Sequence, residues 1–152
     1  MPKQTFLLKS EPETYSISDL ERDGQTAWDG VRNHTAKLVL QKVAVGDEAF
    51  TYHSGDDKQV VGLARVIGAA RPDPSDETQT FVCIDIAFTR RLQHPVPLRA
   101  FKEAGWNQFD LVRMSRLSCM HVPEDVRAWI LAQELQPAAP AAKPKAATKP
   151  KA

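Results

Sequence analysis

The sequence predicts an α+β domain, a small mixed β barrel with short helices over its openings. Two observations carry that prediction. Strand-like apolar runs follow one another through the middle of the chain, at 48–53, 59–69 and 80–91, instead of alternating one for one with helices, which argues against a doubly wound sheet. The longest run is apolar on both faces: Val82, Ile84, Ile86 and Phe88 share one side, and Phe81, Cys83 and Ala87 share the other with Asp85. A strand covered on both sides suits a sheet curled on itself and capped by helices.

Thr5 to Lys9 reads as a first strand, short, mostly apolar and therefore central. Pro12 ends it. Ser16 has the position of a helix N-cap with Asp19 as its capping-box partner, and the helix Ile17 to Asp23 stops at Gly24. A turn centred on Trp28 follows. The spacing then predicts a helix over 34–43 with Leu38, Val39 and Val43 inward. Glu48 to His53 and Gln59 to Ala69 form a hairpin around the polar turn 54–58. Gly62, inside the second of these strands, marks a bulge or the close approach of a ligand. After the polar loop 72–77 comes the strand Thr80 to Arg91, which Pro95 and Pro97 bring to an end. A short helix over 98–104, an irregular stretch or helical turn over 106–109, a strand over 117–122 and a helix over 124–135 complete the order, with Pro123 opening the last helix and Val126, Trp129 and Ile130 facing inward.

A domain over 1–136 is thus expected, followed by a Pro/Ala/Lys tail over 137–152. The tail has no large apolar residue and reads as disordered. It holds four lysines and no acid; taking them from the 20 basic residues leaves 16 against 19 acids, a body of net −3. A broad phosphate-neutralising face is excluded, although a local basic groove is not. No apolar run reaches about 18 residues, so no membrane partner is expected. The N-terminal apolar stretch is too short for a signal peptide, and a cytoplasmic, monomeric protein is expected. Cys83 and Cys119 lie in apolar runs outside any C-x-x-C pair and read as buried free thiols, with a disulfide between them left open.

Enzyme signatures are missing. Neither G-x-x-x-x-G-K-[ST] nor G-x-G-x-x-G occurs, and none of His34, His53, His94 and His121 has a partner at metal-ligand spacing, so no cofactor, metal or catalytic set is expected. His53 and Ser54 are adjacent and point apart on a strand, which argues against a nucleophile–base pair. Four boundary stretches offer binding chemistry instead: Lys9-Ser10-Glu11, Trp28-Asp29-Gly30-Val31-Arg32-Asn33, Tyr52-His53-Ser54 and Arg116-Leu117-Ser118. They combine aromatic faces, hydroxyls, an amide, an imidazole and two guanidinium groups. That inventory suits a planar, hydrogen-bonding ligand such as a nucleobase.

These stretches, with Val45-Gly46-Asp47, Val61-Gly62 and Pro72-Asp73-Pro74, stand in the order seen in EVE-domain proteins, which the chain resembles over residues 4 to 131. The resemblance implies a PUA-like mixed β pseudobarrel, related to YTH domains, flanked by short helices. It implies a non-enzymatic pocket for a modified base flipped from a DNA or RNA strand. Matched position by position, it implies ligand-binding roles for Lys9, Ser10, Trp28, Arg32, Asn33, Tyr52, His53, Ser54, Arg116 and Ser118. Phe6 stands where bacterial members commonly have Trp, and the loop from Pro72 to Thr80 is shorter than in many members, which opens one rim of the pocket. The competing expectations are a sensor of a free nucleoside-like small molecule, a hydrolase using Glu11, Asp29 or His53 as base, and a structural partner domain.

Overall fold

A computed structural model describes residues 3–135. The tail therefore lies outside the described residues. The chain runs β1 (Thr5–Ser10), α1 (Ile17–Asp23), β2 (Gln25–Trp28), α2 (His34–Gln41), β3 (Glu48–His53), β4 (Gln59–Pro72), β5 (Val82–Pro97), α3 (Leu98–Glu103), α4 (Asp110–Arg113), β6 (Cys119–His121) and α5 (Glu124–Gln133).

The strands form one mixed six-stranded sheet in the order β2-β5-β4-β3-β1-β6. β1 runs parallel to β3 and antiparallel to β6, which explains why Thr5 to Leu8 are all buried. The long β4–β5 hairpin changes register in four places. Each bulge adds bend and twist, so the sheet curls. α2 packs on β6 at one edge and on β4 and β5 across the sheet. The Cys119 thiol donates to the Ala36 carbonyl at 3.3 Å, tying β6 to the helix. The interior between them is apolar: Leu7, Leu40, Phe50, Ile84, Ile86 and Met120 are fully buried. Each such side chain contributes about 1.5–3 kcal/mol of transfer free energy.

α1 follows the sequence closely. Ser16 accepts from the Asp19 N–H, the Asp19 carboxylate accepts from the Ser16 N–H, and Gly24 ends the helix at φ 81°. The interior glycine Gly62 is also explained. A Cβ there would collide with Ile17 Cδ1, so the close approach is by α1 and not by a ligand.

Three expectations are corrected. β2 is a strand within what reads as a turn; only its Trp28 is buried, so four residues are too few to show alternation. Pro95 and Pro97 lie within β5 instead of ending it. β2 pairs β5 only at Ile84–Ala87, so farther along no strand on that side needs the proline N–H. Leu38 is 59% exposed, and α2 turns Ala36 and Leu40 inward instead. The stretch 106–109 is irregular, as expected, and the short helix α4 follows it. Cys83 and Cys119 are both buried free thiols with no disulfide between them. Burial pushes the Cys119 thiol up to about 12, so it packs as a small hydrophobe.

Candidate functional site

The C-terminal end of β1, the loop after it and the β2–α2 turn enclose a cavity of about 810 Å³, a size suited to a small organic group. Lys9, Ser10, Glu11, Thr14, Tyr15, Thr26 to Asn33 and Ser118 line it. Of the residues expected at the site, Lys9, Ser10, Trp28, Arg32, Asn33 and Ser118 meet here.

Trp28 enters from β2 with 8% of its surface exposed. Tyr15 stands edge-on to it, ring centroids 6.3 Å apart and planes at 86°. The Tyr15 hydroxyl donates to Asp23 Oδ2 at 2.8 Å, which holds the second ring in place. The turn beyond Trp28 needs a left-handed residue, and Gly30 supplies it at φ 80°.

That turn is anchored from below by Asp73, whose side chain is fully buried. Asp73 Oδ2 accepts from the Gly30 N–H at 2.8 Å and from Arg32 Nη1 at 3.1 Å; its Oδ1 accepts from the Ser75 N–H at 2.7 Å and the Ser75 hydroxyl at 2.6 Å. Burial alone would raise this carboxyl. The hydrogen bonds from Ser75, Gly30 and Arg32 outweigh it and hold the group down at about 2.

The polar groups divide by what they still have free. The Ser10 hydroxyl donates to the Tyr15 carbonyl at 2.7 Å, so it can only accept from a ligand. Asn33 is the N-cap of α2; its Oδ1 accepts from the Ala36 N–H at 2.9 Å, which leaves its amide N–H groups as donors. Arg32 spends Nη1 on Asp73 and Nη2 on Ser75 Oγ, so it braces the turn. Lys9 Nζ donates to the Ser115 carbonyl at 3.0 Å and lies 5.6 Å from the Tyr52 ring centroid. Burial lowers its pKa, and it has no ion pair among the described residues.

The remaining expected residues lie elsewhere. Tyr52 is a core residue, 3% exposed, and burial raises its phenol to about 12. It backs Lys9 but does not face the cavity. The His53 Nε2 accepts from the Ile17 N–H at 3.0 Å, and its Nδ1 lies 3.3 Å from Asp57 Oδ2. An accepting Nε2 places the ring proton on Nδ1, and the imidazole serves as a cap for α1. The Ser54 N–H donates to the Ser10 carbonyl at 2.9 Å, a main-chain tie beside the site. Arg116 lines a separate cavity of about 290 Å³ that touches the first at Asn33. His53 is thus not placed to act as a base in the large cavity, whereas Glu11 and Asp29 do line it.

Tyr15 was not singled out from sequence, and Asp73 stood only within the Pro72-Asp73-Pro74 motif, with no role assigned. Tyr15 precedes the α1 N-cap, where an aromatic reads as a helix staple. Asp73 sits in a polar loop, and Asp-Pro-Ser is an Asx-turn signal whose second use, reaching 43 residues back to Gly30, is tertiary.

A curled mixed sheet flanked by short helices, with an aromatic-walled cavity at one end, is a PUA-like architecture. The EVE domain model matches residues 4–133, and the chain belongs to that family. Human thymocyte nuclear protein 1 is 32% identical, with 64% of this chain and 55% of that protein covered; the chain therefore spans about half the length of this relative. Two solved structures are similar across most of both chains. Rpa0253 from Rhodopseudomonas palustris has a TM-score of 0.80 at 38% identity, covering 86% of this chain and 92% of that one. Human THYN1 protein, solved in complex with 5-methylcytosine-containing DNA, has a TM-score of 0.79 at 27% identity, covering 88% and 99%. A YTH domain from Zygosaccharomyces rouxii shares the fold, with a TM-score of 0.54 at 17% identity.

Proposed function

We propose that this chain is a non-enzymatic module that binds one modified nucleobase, extruded from a DNA or RNA strand, in the cavity beside Trp28. The observation that carries the proposal is the cavity itself: two rings set edge-on, an open polar rim and a volume suited to one base. The THYN1 complex with methylated DNA supports it by family. Trp28 and Tyr15 supply apolar contact, Ser10 accepts, Asn33 donates, and Lys9 places positive charge on the wall. Stacking contributes about 1–3 kcal/mol per base, so polar contacts must supply the remainder.

Among the described residues Arg65, Arg116 and the six lysines have no ion pair, but residues 1–136 hold 16 basic against 19 acidic side chains, a net charge of −3. This favours an interface local to the cavity over a long phosphate track, and it gives weight to a second proposal, capture of a free nucleoside. Titration by intrinsic tryptophan fluorescence, at two salt concentrations, separates them. The probes are oligonucleotides carrying one 5-methylcytosine, their unmodified twins and the free nucleoside. Preference for the modified strand, lost in Trp28→Ala and in the gentler Tyr15→Ala, is the expected result. Equal loss for both strands in a folded variant would overturn the base-reader assignment.

A further inference from the structure

In an antiparallel ladder, residues bonded to the partner strand alternate with residues whose N–H and C=O point the other way. The Phe88 N–H donates to the Gly24 carbonyl at 2.8 Å. From there the pairs run Gln25↔Ala87, Thr26↔Ile86, Ala27↔Asp85 and Trp28↔Ile84. That phase commits Thr26 and Trp28 to β5 and turns the Ala27 main chain outward. β2 is the end strand of the sheet, so no further strand receives those groups. The Ala27 N–H has no partner among the described residues, and its carbonyl meets only the Thr26 hydroxyl, at 3.5 Å. Thr26, Ala27 and Trp28 all line the large cavity.

We propose that the Ala27 N–H and C=O read the hydrogen-bonding edge of the bound base, and that the base is one with an exocyclic amino group. This rests on the base-binding function proposed above and specifies its chemistry. One extended residue presents a donor and an acceptor side by side. An aminopyrimidine or aminopurine edge offers the complement, a ring nitrogen that accepts beside an amino N–H that donates. The second amino N–H needs another acceptor. The Ser10 hydroxyl, its own proton already given to Tyr15, is one; the Asp29 carboxylate, without an ion pair among the described residues, is another. A base with a carbonyl in place of the amino group would set oxygen against these acceptors. Main-chain readout also survives side-chain change, since Ala27 itself carries no polar side chain.

Amide exchange and titration by ¹⁵N NMR test this on the full chain. Before any ligand is added, the Ala27 amide should exchange fast while Thr26 and Trp28 are protected. Single-stranded oligonucleotides with 5-methylcytosine or thymine at the same central position are then compared, since they differ at the amino group. The 5-methylcytosine strand should bind tighter, shift the Ala27 amide downfield and protect it. An ester in place of the Ala27 amide should weaken binding about fivefold to tenfold, the loss of a neutral donor. Binding that leaves the Ala27 amide unmoved, or that accepts thymine equally, overturns this inference while base binding stands. Failure of the wild-type chain to bind either strand overturns both.

Discussion

The molecule has two aromatic-rich ends, and they are built to opposite purposes. At one end Phe101, Phe109, Trp106 and Trp129 meet between α3, α4 and α5, with Phe101 and Trp129 centroids 4.8 Å apart and Trp106 and Trp129 6.0 Å apart. The packing there leaves the Trp106 indole N–H buried without a partner among the described residues. At the other end Trp28 and Tyr15 stand 6.3 Å apart beside about 810 Å³ of open space. The difference is in what surrounds the rings. The first cluster sits among apolar residues that close over it. The second sits beside a glycine turn pinned by a buried carboxylate, which keeps the backbone from collapsing onto the ring. A ring in an amphipathic helix thus serves burial, whereas a ring followed by Asp-Gly and held by tertiary hydrogen bonds serves a cavity.

The largest effect should come from the closed end. Phe101→Ala removes a fully buried ring and should cost about 3–5 kcal/mol of stability, read by denaturant unfolding. Binding by the fraction that remains folded should be unchanged. If ligand affinity fell in step with stability, the two ends would be coupled and the comparison would fail.

Next comes the anchor of the open end. Asp73→Asn removes the charge that Gly30, Arg32 and Ser75 converge on, and should cost about 2–4 kcal/mol because donors lose a buried carboxylate acceptor. Here binding should fall beyond what stability explains, since the turn itself loosens. The pH dependence has a definite sign. The folded carboxyl lies at about 2, below its ordinary 3.8, so its stabilisation is full above about pH 4 and is lost as pH falls toward 2. That share is about 2 kcal/mol. Asp76 is likewise held at about 2, chiefly by the Thr78 hydroxyl and the Phe81 N–H against the opposing effect of burial, so some acid slope remains in the variant. An Asp73→Asn protein with an undiminished slope would show that Asp73 does not hold the turn.

How far the sequence foretold this depends on the range of the interaction involved. The N-cap and capping box of α1, the stop at Gly24 and the positive φ of Gly30 are decided within a few residues, and all were legible. That Ser10 and Trp28 border one cavity was legible because two local patterns coincided in order along the chain. β2 was not: its pairing with β5 lies about 60 residues away and its own four residues have no period. Tyr52 and His53 misled for a related reason. An aromatic and an imidazole at a strand end look the same whether the strand points them at a cavity or, as here, at the core and at Ile17. Asn33 and Arg32 had both uses open in the sequence, and the structure spends part of each on the fold.

The smallest effect discriminates most finely between a strand-bound and a free ligand. Arg116 is exposed, has no ion pair among the described residues, and lines the smaller cavity that adjoins the large one at Asn33. Its removal should leave stability within about 0.5 kcal/mol, as for a surface side chain outside any network. If a strand is bound, Arg116→Ala should weaken modified and unmodified oligonucleotides alike and reduce the slope of log affinity against log salt by about 1, because one phosphate contact is lost. The affinity for the free nucleoside, which has no phosphate, should not change. A loss of affinity confined to the modified strand would instead place Arg116 on the base, and the two cavities would then act as one.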